Sequence, residues 1–380
     1  MAIELELTES DALLRDTAVD FLRRDAPKDV VQALLDTETG TTDELWRKAA
    51  EMGWLGIVIP EEYGGSGYPL TSAGVLFETL GTAPLPGPHF SSAVLGALTL
   101  LHAGSEEQKQ ELLPAVASGE EVLALALAEA DCSWDADSVA TSATASGDGF
   151  VLEGTKMFVM DAAAATWLIV VARSERTGDS AAGLSLFLVD RHRAGVEVRR
   201  QPGFLAGRAF EAKLDGVRVP AAALLGGLNA GWVPLQRAIM EATPVLCAYK
   251  AGGCRAVIDM ALEYSRIRVQ FGQPIGRFQR VQDMIIDMVT HADAAKWAAY
   301  EALWKLDTGR PAAESVRLAK VLASQGYWET VTLGHQVFSG VGYSRESPIS
   351  FHTRASRSLH HFLGEPAFHR QKLAHILTAV

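Results

Sequence analysis

Cysteine is scarce in this chain: Cys132, Cys247 and Cys254 are its three, among 380 residues. So small and odd a number argues against a disulfide framework and fits a reducing compartment, each thiol reading as a small buried hydrophobe rather than a bridge partner or metal ligand. Long apolar runs are missing as well. The opening stretch MAIELELTESDALLRD is acidic and lacks the apolar core of a signal peptide, and no later stretch approaches the ~20 apolar residues of a membrane span, so a cytoplasmic protein is expected. Basic charge is short: 34 Lys and Arg against 46 Asp and Glu give a formal charge of −12. That balance argues against nucleic acid or an anionic membrane as the main partner, while leaving room for a local basic pocket that takes a nucleotide ligand. There is no internal repeat and no low-complexity tract. What remains is an ordinary globular composition, 48% hydrophobic and 21% charged, in a chain long enough for two or three packed domains.

The spacing of apolar residues changes twice along the chain. Up to about residue 120 the period is helical: Thr8 and Ser10-Asp11 precede Leu13-Leu14, Ala18 and Phe21-Leu22, and Thr41 to Glu44 precede Leu45, Ala49 and Met52. Gly104-Ser105 predicts another helix start, ending before Gly119. The glycine-rich string from Ile59 to Gly67 lacks a strand-to-helix frame and any GK[ST], so it reads as a turn rather than a phosphate cradle. From 121 to 230 short apolar runs stand between Gly, Asp and Ser: Phe150 to Leu152, Trp167 to Val171, Leu184 to Val189 and the alternating Phe210 to Leu214. These predict a small, mainly antiparallel β domain, with Ser174 to Ala182 as a surface loop. From Gly231 helices return, over Trp232 to Ile267, Phe278 to Asp307, Pro311 to Gly340 and from Gly364 onward. Val281, Met284, Ile285, Met288, Ala292 and Ala295 recur at three- and four-residue spacing, a stripe suited to a helix bundle. The expected domains are therefore 1–120, 121–230 and 231–380.

The stretch richest in chemistry is YSRIRVQFGQPIGRFQRVQDMIIDM, Tyr264 to Met288. Around its break at Phe271-Gly272-Gln273-Pro274 it sets a cation, an aromatic and two amides: Arg268, Phe271, Gln273 and Gln279. A guanidinium offers paired donors in one plane, which suits a pyrophosphate, while an aromatic face and a glutamine can hold a nucleotide base. On these residues alone two readings stand, half of a dinucleotide site or a helix corner with solvated charges. A second string near the C-terminus carries Gln336, Gly340, Gly342, Tyr343, Glu346 and Pro348.

The first string follows R-x-x-F-G-x-P-I-x-x-F-Q-x-V-Q and resembles the signature of the acyl-CoA dehydrogenase flavoproteins. The second is similar to that family's Q-x-x-G-G-x-G-Y-x-x-E-x-P, and PEEYGG at Pro60 to Gly65 and LHAGSEEQKQELLPAVASGE at 101–120 resemble its N-terminal domain. The resemblance covers nearly the whole chain. It implies a mainly α fold with a helical N-terminal domain, a central β domain and a C-terminal four-helix bundle. It also implies FAD as cofactor, an acyl-CoA substrate, an electron-accepting flavoprotein, and oligomers in which Arg268, Phe271, Gln279, Gln336 and Gly340 meet the FAD of a neighbouring subunit.

The catalytic half of the pattern is altered. Desaturating an acyl thioester requires a base for the α-proton while flavin accepts hydride from the β-carbon. The family commonly keeps a Glu immediately before a Gly for this purpose, some nine residues after an R-D-A arginine. Here that arginine is Arg354, and Leu363 stands before Gly364. A leucine cannot accept a proton. Some members carry the base on the helix before the signature instead; counted back from Phe271, with Gly252 at the family's helix glycine, that position is Ala242. Its neighbour Glu241 would be turned away by about 100° on a helix. Glu365, beside Pro366, reads as a first-turn acid favoured by the helix dipole. His352, His360, His361, His369 and His375 match no compact metal spacing and read as surface or interface histidines. On the flavin-facing side, the family's T-E-P-x-A-G-S-D becomes Ala128 to Asp135, with Ala128 for the hydroxyl and Trp134 for the small serine. In K-x-W-I-T, Phe158 replaces the Trp and Met160 the Thr.

Three functional expectations follow. The first is a base-less subunit that completes the FAD site of a catalytic partner, resembling heteromeric acyl-CoA dehydrogenases of actinobacterial steroid side-chain degradation. The second is a self-sufficient homotetramer using Glu241 or another base. The third is a scaffold or binding protein without flavin.

Overall fold

The structure is a computed structural model and describes residues 7–203, 208–344 and 346–378. In chain order its helices before the sheet are α1 (Glu9–Arg24), α2 (Lys28–Leu35), α3 (Asp43–Glu51), α4 (Leu70–Gly81), α5 (Ala97–Ala103) and α6 (Glu106–Ser118). The strands are β1 (Leu123–Ala126), β2 (Ser142–Ser146), β3 (Gly149–Met160), β4 (Trp167–Arg173), β5 (Leu184–Asp190), β6 (Val196–Arg200), β7 (Ala209–Pro220) and β8 (Leu224–Leu225). The C-terminal part holds α7 (Trp232–Ile267), a small hairpin of β9 (Val269–Gln270) and β10 (Gln273–Pro274), α8 (Gln279–Asp307), α9 (Ala313–Phe338), α10 (Ile349–His361) and α11 (Pro366–Thr378). This is the expected succession of helices, sheet and helices. The helix α10 is an addition to it: its run SFHTRASRSLHH has few strong hydrophobes to mark a periodic stripe.

The helix starts follow from their caps. The Thr8 hydroxyl accepts from Asp11 N–H, and the Asp11 carboxylate accepts from Thr8 N–H in return. Ser105 and Gln108 make the same reciprocal box at α6, which stops at Gly119 in the left-handed region.

The chain forms two compact units. One comprises Met1–Gln32, Pro69–Leu85 and Thr243–Val380. Within it Asp307 accepts from the N–H groups of Leu70 and Thr71 at 2.8 and 2.9 Å, placing a carboxylate on the first turn of α4. The α4–α7 contact is backbone-close: a Cβ on Gly252 would lie 1.8 Å from the Glu78 carbonyl, and one on Gly81 2.0 Å from that of Tyr249. The core joins Cys254, Val257 and Ala261 of α7 to Met288 and Ala292 of α8, and to Tyr327 and Val331 of α9. Val281, Met284 and Ile285 pack on its edge, so the stripe read along α8 faces the bundle.

The other unit comprises Ala33–Tyr68 and Pro86–Ala242. Its sheet runs β6-β7-β3-β2-β4-β5-β8, with β1 on β4. Pairing is antiparallel except for β1–β4 and the short β2–β4 contact. Leu152, Leu168, Val170, Phe187, Phe210 and Leu214 fill one core beneath it.

Two sequence readings need correction. Cys132 is exposed, whereas Cys247 and Cys254 are buried as expected; Cys132 sits at φ 61° in the loop after β1 and has no core to enter. His352 and His369 are buried rather than on the surface, each held by a hydrogen bond that satisfies a ring nitrogen.

Candidate functional site

The Arg268 string folds as a tight hairpin between two long helices. The α7 helix stops at Ile267, β9 and β10 pair antiparallel, and the two residues between them, Phe271 and Gly272, have φ of 51° and 80°. Two positive φ values mark the turn that suits the right-handed twist of a hairpin. Phe271 therefore stands at the tip, 93% exposed, with an edge contact to Phe278 at 6.1 Å between centroids. Gln279 opens α8. Arg268, Gln279 and Gln336 are exposed, and no hydrogen bond or ion pair to another described residue engages their side-chain polar groups.

The second string ends α9. Gln336 lies in its last turn, Ser339 takes φ 54°, and Ser339–Tyr343 wind as a short 3₁₀ turn. Gly340 is open: a Cβ there would meet nothing within 4 Å. Tyr343, 78% exposed, stacks on His335 at 5.0 Å. The two strings are fastened together by Tyr264 at the end of α7 and Phe338 at the end of α9, whose rings stack at 4.6 Å and 25°. One surface thus gathers a free guanidinium, two free amides, two largely exposed aromatic rings and an open glycine. Such a set fits the pyrophosphate and base of a dinucleotide, because the guanidinium and amides have no competing partner among the described residues and each ring keeps an exposed face.

The candidate bases are placed differently. Leu363 is 1% exposed at φ 59°, an uncommon conformation for a bulky residue. It is held by its neighbours: His369 Nε2 lies 2.7 Å from the Leu363 carbonyl, and Lys320 Nζ donates to the carbonyls of Gly364 and His360 at 2.6 and 3.2 Å. Beneath this turn Lys250 and Lys320 both donate to Ser324 Oγ, at 2.8 and 3.0 Å. Both amines are buried, and that burial lowers Lys250 to about 8 and Lys320 well below its ordinary value.

Glu241 is engaged elsewhere. His102 Nε2 lies 2.6 Å from Glu241 Oε2, and Arg237 Nε donates to Glu241 Oε1 at 3.0 Å. Burial raises the Glu241 carboxyl, but the His102 and Arg237 contacts outweigh it and leave the pKa lowered. A carboxylate held this way is a poor proton acceptor. Ala242 is fully buried. Glu365 is exposed and lies 3.5 Å from His361 Nδ1. Among the described residues no group of three or more His, Cys, Asp or Glu could hold a metal ion.

In the sheet unit, Met157 N–H donates to the Ala128 carbonyl, so the loop carrying Ala128 and Trp134 lies along β3. The buried Lys156 amine bonds the Leu127 carbonyl and Glu129 Oε1 at 3.1 and 2.7 Å. Glu129 also accepts from Ala140 and Thr141 N–H, a staple that sequence reading did not single out, although K-x-F and the preceding A-E both contain its members. Trp134 is 9% exposed, filling protein interior. Phe158 sits at φ 55° in a bulge of β3 and donates its N–H to Gln201 Oε1. Bulges of this kind re-aim a side chain.

Comparison with known proteins gives a consistent match. Residues 8–120, 124–212 and 229–378 match the models for the N-terminal, middle and C-terminal domains of acyl-CoA dehydrogenase. The chain is 30% identical over 377 residues to the probable acyl-CoA dehydrogenase YngJ of Bacillus subtilis (strain 168), covering 98% of each. Its fold is similar to butyryl-CoA dehydrogenase from Megasphaera elsdenii, with a TM-score of 0.91 at 25% identity over 99% of this chain and 100% of that one. It is similar too to the ChsE4-ChsE5 complex from Mycobacterium tuberculosis, with a TM-score of 0.89 at 25% identity, covering 100% of both chains.

Proposed function

From the premise that this chain belongs to the acyl-CoA dehydrogenase family of FAD-dependent oxidoreductases, we propose that it is the subunit that completes the FAD site of a catalytic partner. The partner supplies the base; this chain supplies Arg268, Phe271, Gln279, Gln336 and Gly340. When bound, FAD accepts the hydride in α,β-desaturation of an acyl-CoA thioester, and an electron-accepting flavoprotein reoxidises it. The role of this chain in that reaction is to hold: the Arg268 guanidinium meets the pyrophosphate, Phe271 and the glutamines meet the nucleotide, and the open backbone at Gly340 allows close approach.

The observation that carries the reading is an asymmetry. The surface for a neighbour's cofactor keeps free donors and exposed rings, while both family base positions lack a carboxylate and the neighbouring Glu241 is occupied. Leu363 and Ala242 cannot take a proton, and Glu241 is tied to His102 and Arg237. Ala128 and Met160 offer no hydroxyl, and the buried Trp134 replaces a small residue. Similarity to the ChsE4-ChsE5 complex supports an assembly of two different chains.

The test is flavin content per chain, measured by absorbance after purification with and without co-expression of a catalytic acyl-CoA dehydrogenase. The expected result is flavin in the co-purified complex and little in this chain alone. Full flavin and turnover in the isolated chain would replace this reading with a self-sufficient homotetramer, and colourless protein in both preparations, with FAD supplied, would replace it with a scaffold.

A further inference from the structure

A cavity in the same unit is lined by none of the residues of the Arg268 surface. It is a groove of ≈ 480 Å³ between α1, α2, the segment after α4, α7 and α10, within the size range of small-molecule sites. Its body is apolar, from Val19, Leu22, Val31, Met260 and Phe351, and its polar lining side chains include Arg23, Lys28 and His352, with no carboxylate among the lining residues.

His352 gives the groove its chemistry. The side chain is 97% enclosed by the protein, being 3% exposed. Its Nδ1 lies 2.9 Å from the hydroxyl of Tyr327, a wholly buried residue. That hydroxyl has no other acceptor among the described residues, so it donates to Nδ1 and leaves the imidazole proton on Nε2. Nε2 has no partner among the described residues, and the ring lines the groove. Burial lowers the His352 pKa to about 3, so the ring stays neutral and Nε2–H remains a donor at ordinary pH. Two cations accompany it. Lys28 Nζ donates one N–H to the Glu346 carbonyl, which leaves two for a ligand. Arg23 holds Asp20 at 2.8 Å through one terminal nitrogen, and its remaining donors stay exposed.

We propose that this groove binds a medium-length aliphatic carboxylate, its chain against Leu22, Met260 and Phe351 and its carboxylate at the donors of His352, Lys28 and Arg23. Complementarity selects this class. A cation would meet Lys28, Arg23 and an N–H donor, whereas a neutral alcohol would leave Lys28 without a counter-charge, Arg23 already having Asp20. The site is independent of the flavin-completing reading, because none of its residues belongs to the Arg268 surface.

The experiment is isothermal titration of the full chain with sodium octanoate at neutral pH, beside octylammonium and 1-octanol. Saturable octanoate binding is expected, with the other two weaker by about tenfold or more, the scale of a lost charge-assisted hydrogen bond. His352→Leu and Lys28→Gln should each weaken octanoate by a similar factor, and Arg268→Ala should leave it unchanged. Lys28 is exposed, so its variant tests the site even if His352→Leu fails to fold. The proposal is overturned if octanoate does not saturate, if octanol binds as tightly, if Lys28→Gln changes nothing, or if Arg268→Ala abolishes binding. Flavin content measured on the same variants separates this outcome from that of the flavin-completing role.

Discussion

Tyr264 and Phe338 stack with ring centroids 4.6 Å apart and planes 25° from parallel. The contact joins the last turns of α7 and α9, and so sets the hairpin of Arg268 beside the turn of Gly340. Those strings are about 70 residues apart in sequence, and the intervening α8 and α9 pack along each other and return the chain to the end of α7. The stack, with the bundle core behind it, turns two separate strings into one surface.

Arg268→Ala should remove a charge-assisted contact worth about 1.5–3 kcal/mol, and flavin occupancy of the assembly should fall in proportion. Arg268→Lys should restore only part of it, since a point charge lacks the paired geometry. Flavin released on denaturation, counted per chain, checks both. Unchanged occupancy in the two variants would reduce the string to helix packing.

Two glycines separate cofactor approach from folding. Gly340→Ala meets nothing within 4 Å, so its melting temperature should match the parent while flavin occupancy falls. Gly252→Ala would drive a methyl into the Glu78 carbonyl and should destabilise by about 1–3 kcal/mol through overpacking. Thermal melts of both variants decide the matter; an unaltered melt for Gly252→Ala would contradict the close crossing of α4 and α7.

The buried amine of Lys250 predicts a pH dependence. Its folded pKa is lowered to about 8 by burial, while an unfolded lysine titrates near ~10.4. Between those values the unfolded chain binds more protons, so this group's contribution makes stability rise with pH across that window. The cost is fully present below about 8 and gone above the unfolded value; it is on the order of 3 kcal/mol. Lys250→Met should therefore be more stable than the parent at pH 7, with the difference shrinking toward pH 10. Parallel denaturant titrations at several pH values test this, and a gap that does not vary with pH would refute it.

The isolated chain should be near silent toward acyl-CoA esters with an artificial electron acceptor, since loss of a positioned base costs about 10²–10⁴ in rate. Glu241→Gln should leave the activity of the complex unchanged and weaken the His102 contact instead. Ordinary dehydrogenase turnover by this chain alone, abolished in Glu241→Gln, would transfer the base to Glu241. If Leu363→Glu creates activity, the turn at Leu363 retains geometry fit for a base.

Much of the fold could be read from the residues because its signals are local. Thr8, Ser105 and Gly119 cap the helices they were expected to cap, the stripe on α8 faces the core, and the runs at Trp167 and Leu184 pair as β4 and β5. Period and capping depend on neighbours within a few positions, so one chain suffices to show them. The helix α10 escaped because its buried residues are Ile349, Phe351, His352 and Ser356, with only two strong hydrophobes, spaced by two positions rather than three or four. Resemblance to the family's two signature strings pointed to Arg268, Phe271, Gln279, Gln336 and Gly340 as cofactor residues, the role that the flavin measurements test. Tertiary structure alone decided that Phe271 stands bare at a hairpin tip, that Tyr264 and Phe338 unite the two strings, and that Glu241 is spent on His102. It also decided that His352, expected at a surface or interface, is buried and accepts from the Tyr327 hydroxyl. Each of these depends on which side chains meet across long sequence separations, and on the burial that follows; hydrogen-bond partners and desolvation are properties of that packing and leave no trace in residue order.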